Sequence, residues 1–329
     1  MPFVIAEAGD NHNGDFLLAK KLAMVAKKSG ADAVKFQTFK TENLVTKNAQ
    51  QAEYQKKNIG KNEGQFQMLK KLELSFSEFR RLSDYCKNIG ILFLSTAFDL
   101  ESIEFLASLD LPVWKIPSGE ITNYPYIVEI AKKNRPIIMS TGMCEIFEVK
   151  AAVDIIKENT NGEITLLHCN TEYPTRFEDV NLNVMKTLGR KFSCKYGYSD
   201  HTQGISVPIA ATALGASVIE KHFTLNRNMI GPDHKASLEP DELNTMVKSI
   251  REIEIALGSS QKFVSKSEMK NISIARKSIV AKKSIKKGEI LSPDNITTKR
   301  PGTGITPMEW PKIIGTIANK NYKPDDMIQ

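Results

Sequence analysis

No apolar run in the sequence approaches the roughly 18 residues that a membrane-spanning helix needs. The N-terminus, Met-Pro-Phe-Val-Ile-Ala-Glu, lacks the basic segment and apolar stretch of a secretory signal, so a cytoplasmic protein is expected. Four cysteines, Cys86, Cys144, Cys169 and Cys194, show no short paired spacing, and in a chain of 329 residues they read as reduced and buried. A net charge of +7 comes without an arginine-rich stretch or an aromatic RNA-binding motif, and the lysines are scattered over helical faces. That leaves a solvated basic surface, or a basic cleft that captures small anions. No nucleic-acid or membrane partner is expected. Also missing is a Gly-x-Gly-x-x-Gly after the first apolar segment, the fingerprint of a dinucleotide-binding open sheet.

What is present is regular. A hydrophobic share of 41% and a charged share of 25% are ordinary for a globular protein, and the length calls for one large domain plus a small one. Short apolar runs at 3–9, 33–39, 91–98, 112–119, 136–143 and 164–170 alternate with helical periodicities at 15–30, 76–90, 100–110, 124–134, 145–161 and 178–191. Asp15 is placed to cap the first helix and Gly30 to end it. Two more strands end on His201 and His222, with a small apolar helix between them at 204–215, and a helix over 239–258 closes the series. The near-continuous apolar runs are those of buried parallel strands. Their number and order predict an α/β fold, a (β/α)8 TIM barrel over residues 1–258, with a doubly wound sheet as the alternative. The long polar stretch 40–64 reads as a partly helical flap over a site. Residues 259–274 read as a lysine-rich linker, and 275–329 as a compact domain of short strands and turns.

Barrel chemistry gathers at the C-terminal ends of the strands, and polar residues fall there repeatedly. Glu7, then Asn11 and His12, follow the first strand; Lys35 and Gln37 lie on the second; Ser95 and Thr96 on the third. Lys115, Ser118 and Glu120 mark the fourth strand, Ser140 and Thr141 the fifth, and His168, Asn170 and Tyr173 the sixth. Ser199, Asp200, His201, Glu220 and His222 mark the last two, followed by Asp233. Lys35 and Lys115 sit inside apolar strands, where an unpaired ammonium is costly, so each needs an anion. That anion is either Glu7 and Glu120, in a structural network, or the phosphate or carboxylate of a ligand. Strands lie about 4.8 Å apart, so His201 and His222 at the ends of adjacent strands are either hydrogen-bonded strand-end residues or ligands of one open metal site. His168 reads as core packing beside Cys169, and His234 as a loop residue.

Together these residues resemble the bacterial sialic acid synthases over essentially the whole chain. The resemblance rests on Ile-Ala-Glu-Ala-Gly-Asp-Asn-His-Asn-Gly at 5–14, Val-Lys-Phe-Gln-Thr at 34–38, Trp-Lys-Ile-Pro-Ser-Gly-Glu at 114–120 and Ser-Thr-Gly-Met at 140–143. It continues through Leu-His-Cys-Asn-Thr-Glu-Tyr-Pro at 167–174, Tyr-Ser-Asp-His at 198–201, Glu-Lys-His-Phe-Thr at 220–224 and Gly-Pro-Asp-His at 231–234. The last domain looks like the antifreeze-like (SAF) module of that family. The resemblance implies condensation of phosphoenolpyruvate with N-acetylmannosamine, giving N-acetylneuraminate and phosphate. The same reaction on a 2,4-diacetamido-trideoxy hexose, giving legionaminate, is the close alternative, and a non-catalytic sugar- or anion-binding barrel is the alternative of another class. It implies a divalent cation, Mn2+ or Mg2+ with Co2+ as a further option, on His201 and His222. It places Lys35, Thr96, Lys115, Ser118, Ser140 and Ser199 on phosphoenolpyruvate, and Glu7, Gln37, Tyr173 and Asp233 on the sugar. Arg300 would reach in from the small domain of a partner subunit, in a domain-swapped homodimer. Glu120 is the acid or base implied, with Glu7, Lys35 and Lys115 beside it as catalytic residues. The family usually has an apolar residue or cysteine where this chain has Asp10; close to Glu7 in sequence, it either alters sugar contacts or local charge or, the reading put first, is a solvent-facing substitution.

Overall fold

A computed structural model describes residues 2–59 and 64–329. Eight parallel strands run β1 (Phe3–Gly9), β2 (Ala33–Thr38), β3 (Leu92–Ala97), β4 (Trp114–Ile116), β5 (Ile137–Ser140), β6 (Ile164–His168), β7 (Lys195–Asp200) and β8 (Val218–His222). Their hydrogen-bonded order is β3-β2-β1-β8-β7-β6-β5-β4, and the end strands β3 and β4 lie side by side, which closes the ring as a TIM-like barrel. Helices between the strands form the outer shell.

Side-chain alternation builds two cores and one site. On β1, Val4, Ala6 and Ala8 face the helices and join the large shell core with Leu22, Phe79, Tyr126 and Met246. The intervening Ile5 joins an inner plug with Ala33, Leu94, Ile138, Leu167 and Val218. Two residues further along, the same inward rows change chemistry: Ile5 is followed by Glu7, Ala33 by Lys35, Leu94 by Thr96, Ile138 by Ser140 and Val218 by Glu220. The strands therefore carry a dry floor at one end and a polar mouth at the other. Gly197 on β7 allows this closeness, since a Cβ there would stand 2.3 Å from the carbonyl oxygen of Val218.

The first helix, Phe16–Lys28, starts where Asp15 Oδ1 accepts from the backbone N–H of Leu17 and Leu18 at 2.6 and 3.1 Å. In the stretch read as a flap, the short helices Thr41–Leu44 and Glu53–Ile59 are followed by a helix, Gln65–Leu72, that the sequence reading did not separate. Phe39, Met68, Leu69 and Leu72 pack there as a small apolar cluster, and Asn58 Nδ2 donates to the carbonyl of Pro232 at 2.6 Å. Residues 60–63 of the expected flap lie outside the described residues.

The chain divides into two units, Met1–Gly258 and Ser259–Gln329. The stretch expected as a linker holds a helix, Lys266–Ala275, begun by a reciprocal cap between Ser265 and Glu268. Its end is tied within the second unit, where Ser273 O accepts from the Gly302 N–H at 2.7 Å. Beyond it, β9 (Ser278–Ala281) pairs antiparallel with β10 (Ile296–Lys299) over a small core that includes Ile279, Leu291, Ile296 and Tyr322.

Candidate active site

The barrel mouth opens into a cavity of about 540 Å3. Fourteen of the residues singled out from the sequence belong to one group in the first unit. Glu7, Lys35, Gln37, Thr96, Lys115, Ser118, Glu120, Ser140, Tyr173, Ser199, His201, His222 and Asp233 all line the cavity, and so does Glu220. Arg300 lies in the second unit, where its Nε–H donates to the carbonyl of Ala275 at 3.0 Å. Walls of the flap, Leu44, Val45 and Gln65, complete the lining.

At the centre two ammoniums meet two carboxylates. Lys35 Nζ is 2.8 Å from Glu7 Oε2 and 3.7 Å from Glu220 Oε2. Lys115 Nζ is 3.5 Å from Glu220 Oε1. The partner of Lys115 is therefore Glu220 and not Glu120, because Glu220 projects inward from β8 whereas Glu120 sits on a turn after β4 and accepts from Asn123 Nδ2 at 2.6 Å. Each lysine also donates to a hydroxyl, Lys35 to Thr96 Oγ1 at 3.0 Å and Lys115 to Ser140 Oγ at 2.8 Å. Ser199 Oγ donates to Glu220 Oε1 at 2.9 Å, and the Gly142 N–H donates to Ser118 Oγ at 2.9 Å.

Burial would raise the Glu220 carboxyl, but Lys115 and Lys35 outweigh it and hold Glu220 at about 2. Burial wins at Glu7 despite Lys35 and lifts it to about 7. Burial also draws Lys115 below the usual lysine range, whereas Glu220 and Glu7 keep Lys35 above it against the same burial. Near neutral pH the group thus has one firmly ionised carboxylate and a second that is half-protonated, facing two lysines. That balance leaves room for an added anion.

Beside this cluster the rings of His201 and His222 stand 5.3 Å apart between centroids, with the Tyr173 ring 4.1 Å from His201. Burial lowers both histidines, His201 to about 4, so both are neutral imidazoles. His201 Nδ1 faces the carbonyl of Asn170, which fixes the proton there and leaves Nε2 with a lone pair. His222 Nδ1 is buried without a hydrogen-bond partner among the described residues, and Asp233 Oδ2 is 3.5 Å from it. Neutral imidazoles with a spare nitrogen suit a divalent cation. Among the described residues no cluster of three or more His, Cys, Asp or Glu side chains forms a ready metal site. His201 and His222 are thus the two imidazoles that could hold such a cation.

Several expectations are corrected. Asp10 is not solvent-facing: it is 6% exposed and lines the cavity. Asp200 does not enter the cavity; alternation turns it outward, where it forms a fully buried ion pair with Lys221. His234 lies in the loop after β8, as expected, but is fully buried there, its Nδ1 2.7 Å from Thr224 Oγ1 and its Nε2 3.2 Å from Asn13 Oδ1. It anchors the loop that carries Asp233. Asn11 likewise clamps backbone, its Nδ2 donating to the carbonyl of Phe223 at 2.8 Å. Sequence reasoning named Glu220 as a mouth residue without giving it a role; its inward parity with His222 was the signal that could have done so.

A parallel barrel with a charged, hydroxyl-lined mouth, followed by a small strand-and-turn unit, is the architecture of a TIM-barrel synthase with an appended SAF domain. The chain belongs to the NeuB family, whose model matches residues 22–262, and the SAF domain matches residues 276–329. It is 54% identical over 328 residues to the N,N'-diacetyllegionaminic acid synthase of Campylobacter jejuni, covering 99% of this chain and 98% of that one. It is 48% identical over 323 residues to the N,N'-diacetyllegionaminic acid synthase of Legionella pneumophila, covering 97% and 91%. Among solved structures, the N-acetylneuraminic acid synthetase of Leptospira borgpetersenii, in complex with citrate, superposes with a TM-score of 0.72 at 33% identity, covering 83% of this chain and 90% of that one.

Proposed function

We propose that this protein condenses phosphoenolpyruvate with 2,4-diacetamido-2,4,6-trideoxy-mannose, giving N,N'-diacetyllegionaminic acid and phosphate. What carries the choice of acceptor is the contrast in identity over nearly the whole chain: 54% and 48% to legionaminic acid synthases, against 38% to an N-acetylneuraminate-9-phosphate synthase. N-acetylmannosamine, the acceptor put first by the sequence, becomes the second reading.

The lysine cluster supports binding of phosphoenolpyruvate. Lys35 and Lys115, with Thr96, Ser118, Ser140 and Ser199, would receive its phosphate and carboxylate in place of water. Glu7, Gln37, Tyr173 and Asp233 would meet the sugar. The enol carbon of phosphoenolpyruvate bonds to the aldehyde carbon of the open-chain acceptor, and the aldehyde oxygen takes up a proton. Water then adds to the cationic carbon that bears the phosphate, and phosphate leaves as the ketone forms. Glu120, half-buried at the cavity wall and raised above the usual carboxylate range by burial, is suited to move the proton. A divalent cation held by His201 and His222 would supply polarisation of the aldehyde. Fixed charges, rather than a covalent nucleophile, carry the rest.

Purified protein with phosphoenolpyruvate, Mn2+ and each acceptor should release phosphate fastest with the diacetamido sugar. Faster release with N-acetylmannosamine would move the assignment to N-acetylneuraminate synthase, and no release with either would overturn it. Loss of phosphate release in Lys115→Ala excludes a barrel that only binds. We extend the proposal to a cytoplasmic homodimer in which Arg300 of a second copy completes the acceptor end of the site. Mixing a chain lacking residues 276–329 with a barrel-site variant should then restore some activity, and no rescue would argue against the exchange.

A further inference from the structure

Asp10 has no part in the reading above, yet the backbone is bent to bring it to the cavity. The outward row of β1 is Val4, Ala6 and Ala8, so continued alternation would send residue 10 into the helical shell. Instead the pairing with β2 slips between Glu7 and Gly9, and Gly9 takes φ +49°. That break turns the next residue, Asp10, to the cavity wall. A Cβ on Gly9 would stand 3.3 Å from Gln37 Nε2 and 3.5 Å from His222 Cε1, so the turn is made against the site itself.

The carboxyl delivered there is incomplete. Asp10 is 94% buried, being 6% exposed, and its Oδ1 has no hydrogen-bond partner among the described residues. A buried acceptor left unpaired costs about 1–3 kcal/mol. Burial, then Asp233 and then Glu7, push the Asp10 carboxyl well above its ordinary range, with Lys35 opposing them. Glu7 is matched by Lys35, but Asp10 and Asp233 add carboxyls to that wall that are poor company for a phosphate ester. They suit an uncharged polar ligand that brings its own N–H or O–H. The unpaired Oδ1 is an acceptor, and the N–H of an amide is a donor that can complete it.

Resting on the proposed condensation, we infer that Asp10 is a specificity-determining residue that hydrogen-bonds an acylamino group of the acceptor sugar. Steady-state kinetics on the intact chain test it, with phosphoenolpyruvate and the diacetamido acceptor varied in turn. Asp10→Leu should raise the acceptor KM about tenfold to a hundredfold and leave the phosphoenolpyruvate KM unchanged. Asp10→Asn keeps the acceptor oxygen and should recover most of the acceptor KM, whereas Asp10→Leu, equally folded, should not. Thermal melting and the shift induced by phosphoenolpyruvate check that both variants fold. An unchanged acceptor KM in folded Asp10→Leu, a parallel rise in the phosphoenolpyruvate KM, or a loss confined to kcat would each overturn the inference alone. A wild-type chain that releases no phosphate with any acceptor would overturn the functional reading and this inference with it.

Discussion

Replacing Glu220 by Gln should destabilise the barrel and make it dependent on an anion. Among the described residues, Glu220 is the carboxylate within 4 Å of both buried lysines, 3.7 Å from Lys35 and 3.5 Å from Lys115. Its folded pKa is depressed from 4.5 to about 2, against the pull of burial. A depressed carboxyl contributes stability that is fully present above pH 4.5 and lost as pH falls through about 2. The shift corresponds to about 3 kcal/mol at neutral pH, close to the roughly 3–5 kcal/mol for breaking a buried pair by removing one partner. For a barrel of this size that is a fall in Tm of about 6–20 °C. Gln keeps the shape and the contact to Ser199, so the loss is of charge and not of packing. Calorimetry with and without phosphoenolpyruvate or inorganic phosphate reads it. The anion should raise the Tm of Glu220→Gln more than that of the wild type, because it replaces the missing charge between the lysines. Equal melting of variant and wild type without ligand would refute the assigned charge balance. Equal anion-induced shifts would refute the placement of the anion.

The remaining predictions use the other groups of the mouth. Glu7 is raised from 4.5 to about 7, so its contribution to stability is full below pH 4.5 and is lost as pH rises through about 7. Glu7→Gln should flatten that decline in a Tm-versus-pH series, and an unchanged slope would exclude the raised carboxyl. His222→Ala and His201→Ala should each abolish metal-stimulated phosphate release while leaving the melting temperature within a few degrees; retained stimulation would remove the metal from the two imidazoles. A chain ending at Gly258 should melt cooperatively, since the large core lies wholly within the first unit; failure to fold would show that the second unit is needed for the barrel.

Strand and helix order was legible because both periodicities are strong. The parallel strands are apolar runs bounded by caps such as Asp15 and Ser75, and each inward row ends on a polar residue that the alternation itself exposes. The boundaries were less so. Residues 112–119 read as one strand, but only Trp114–Ile116 pair, because Pro117 cannot donate to the ladder and Ser118–Glu120 curl into a 3-10 turn. The helix at Lys266–Ala275 was hidden by its polarity: none of its residues is buried, so no apolar stripe marks it, and only the Ser265 and Glu268 pair announces its start.

Asp200, Lys221 and Asp10 are polar residues near strand ends, and polarity alone does not say which side of the wall they take. Parity decides for the first two: Ser199, His201, Glu220 and His222 point inward, so Asp200 and Lys221 point outward and must neutralise each other. Parity fails for Asp10, because a register slip and one left-handed glycine reverse it. A carboxyl placed on the outer row by counting is moved to the inner wall by a single bulge. Carrying it there costs desolvation and places it near two other acids, so its retention needs a compensating contact. In the inference drawn above, the acceptor supplies it.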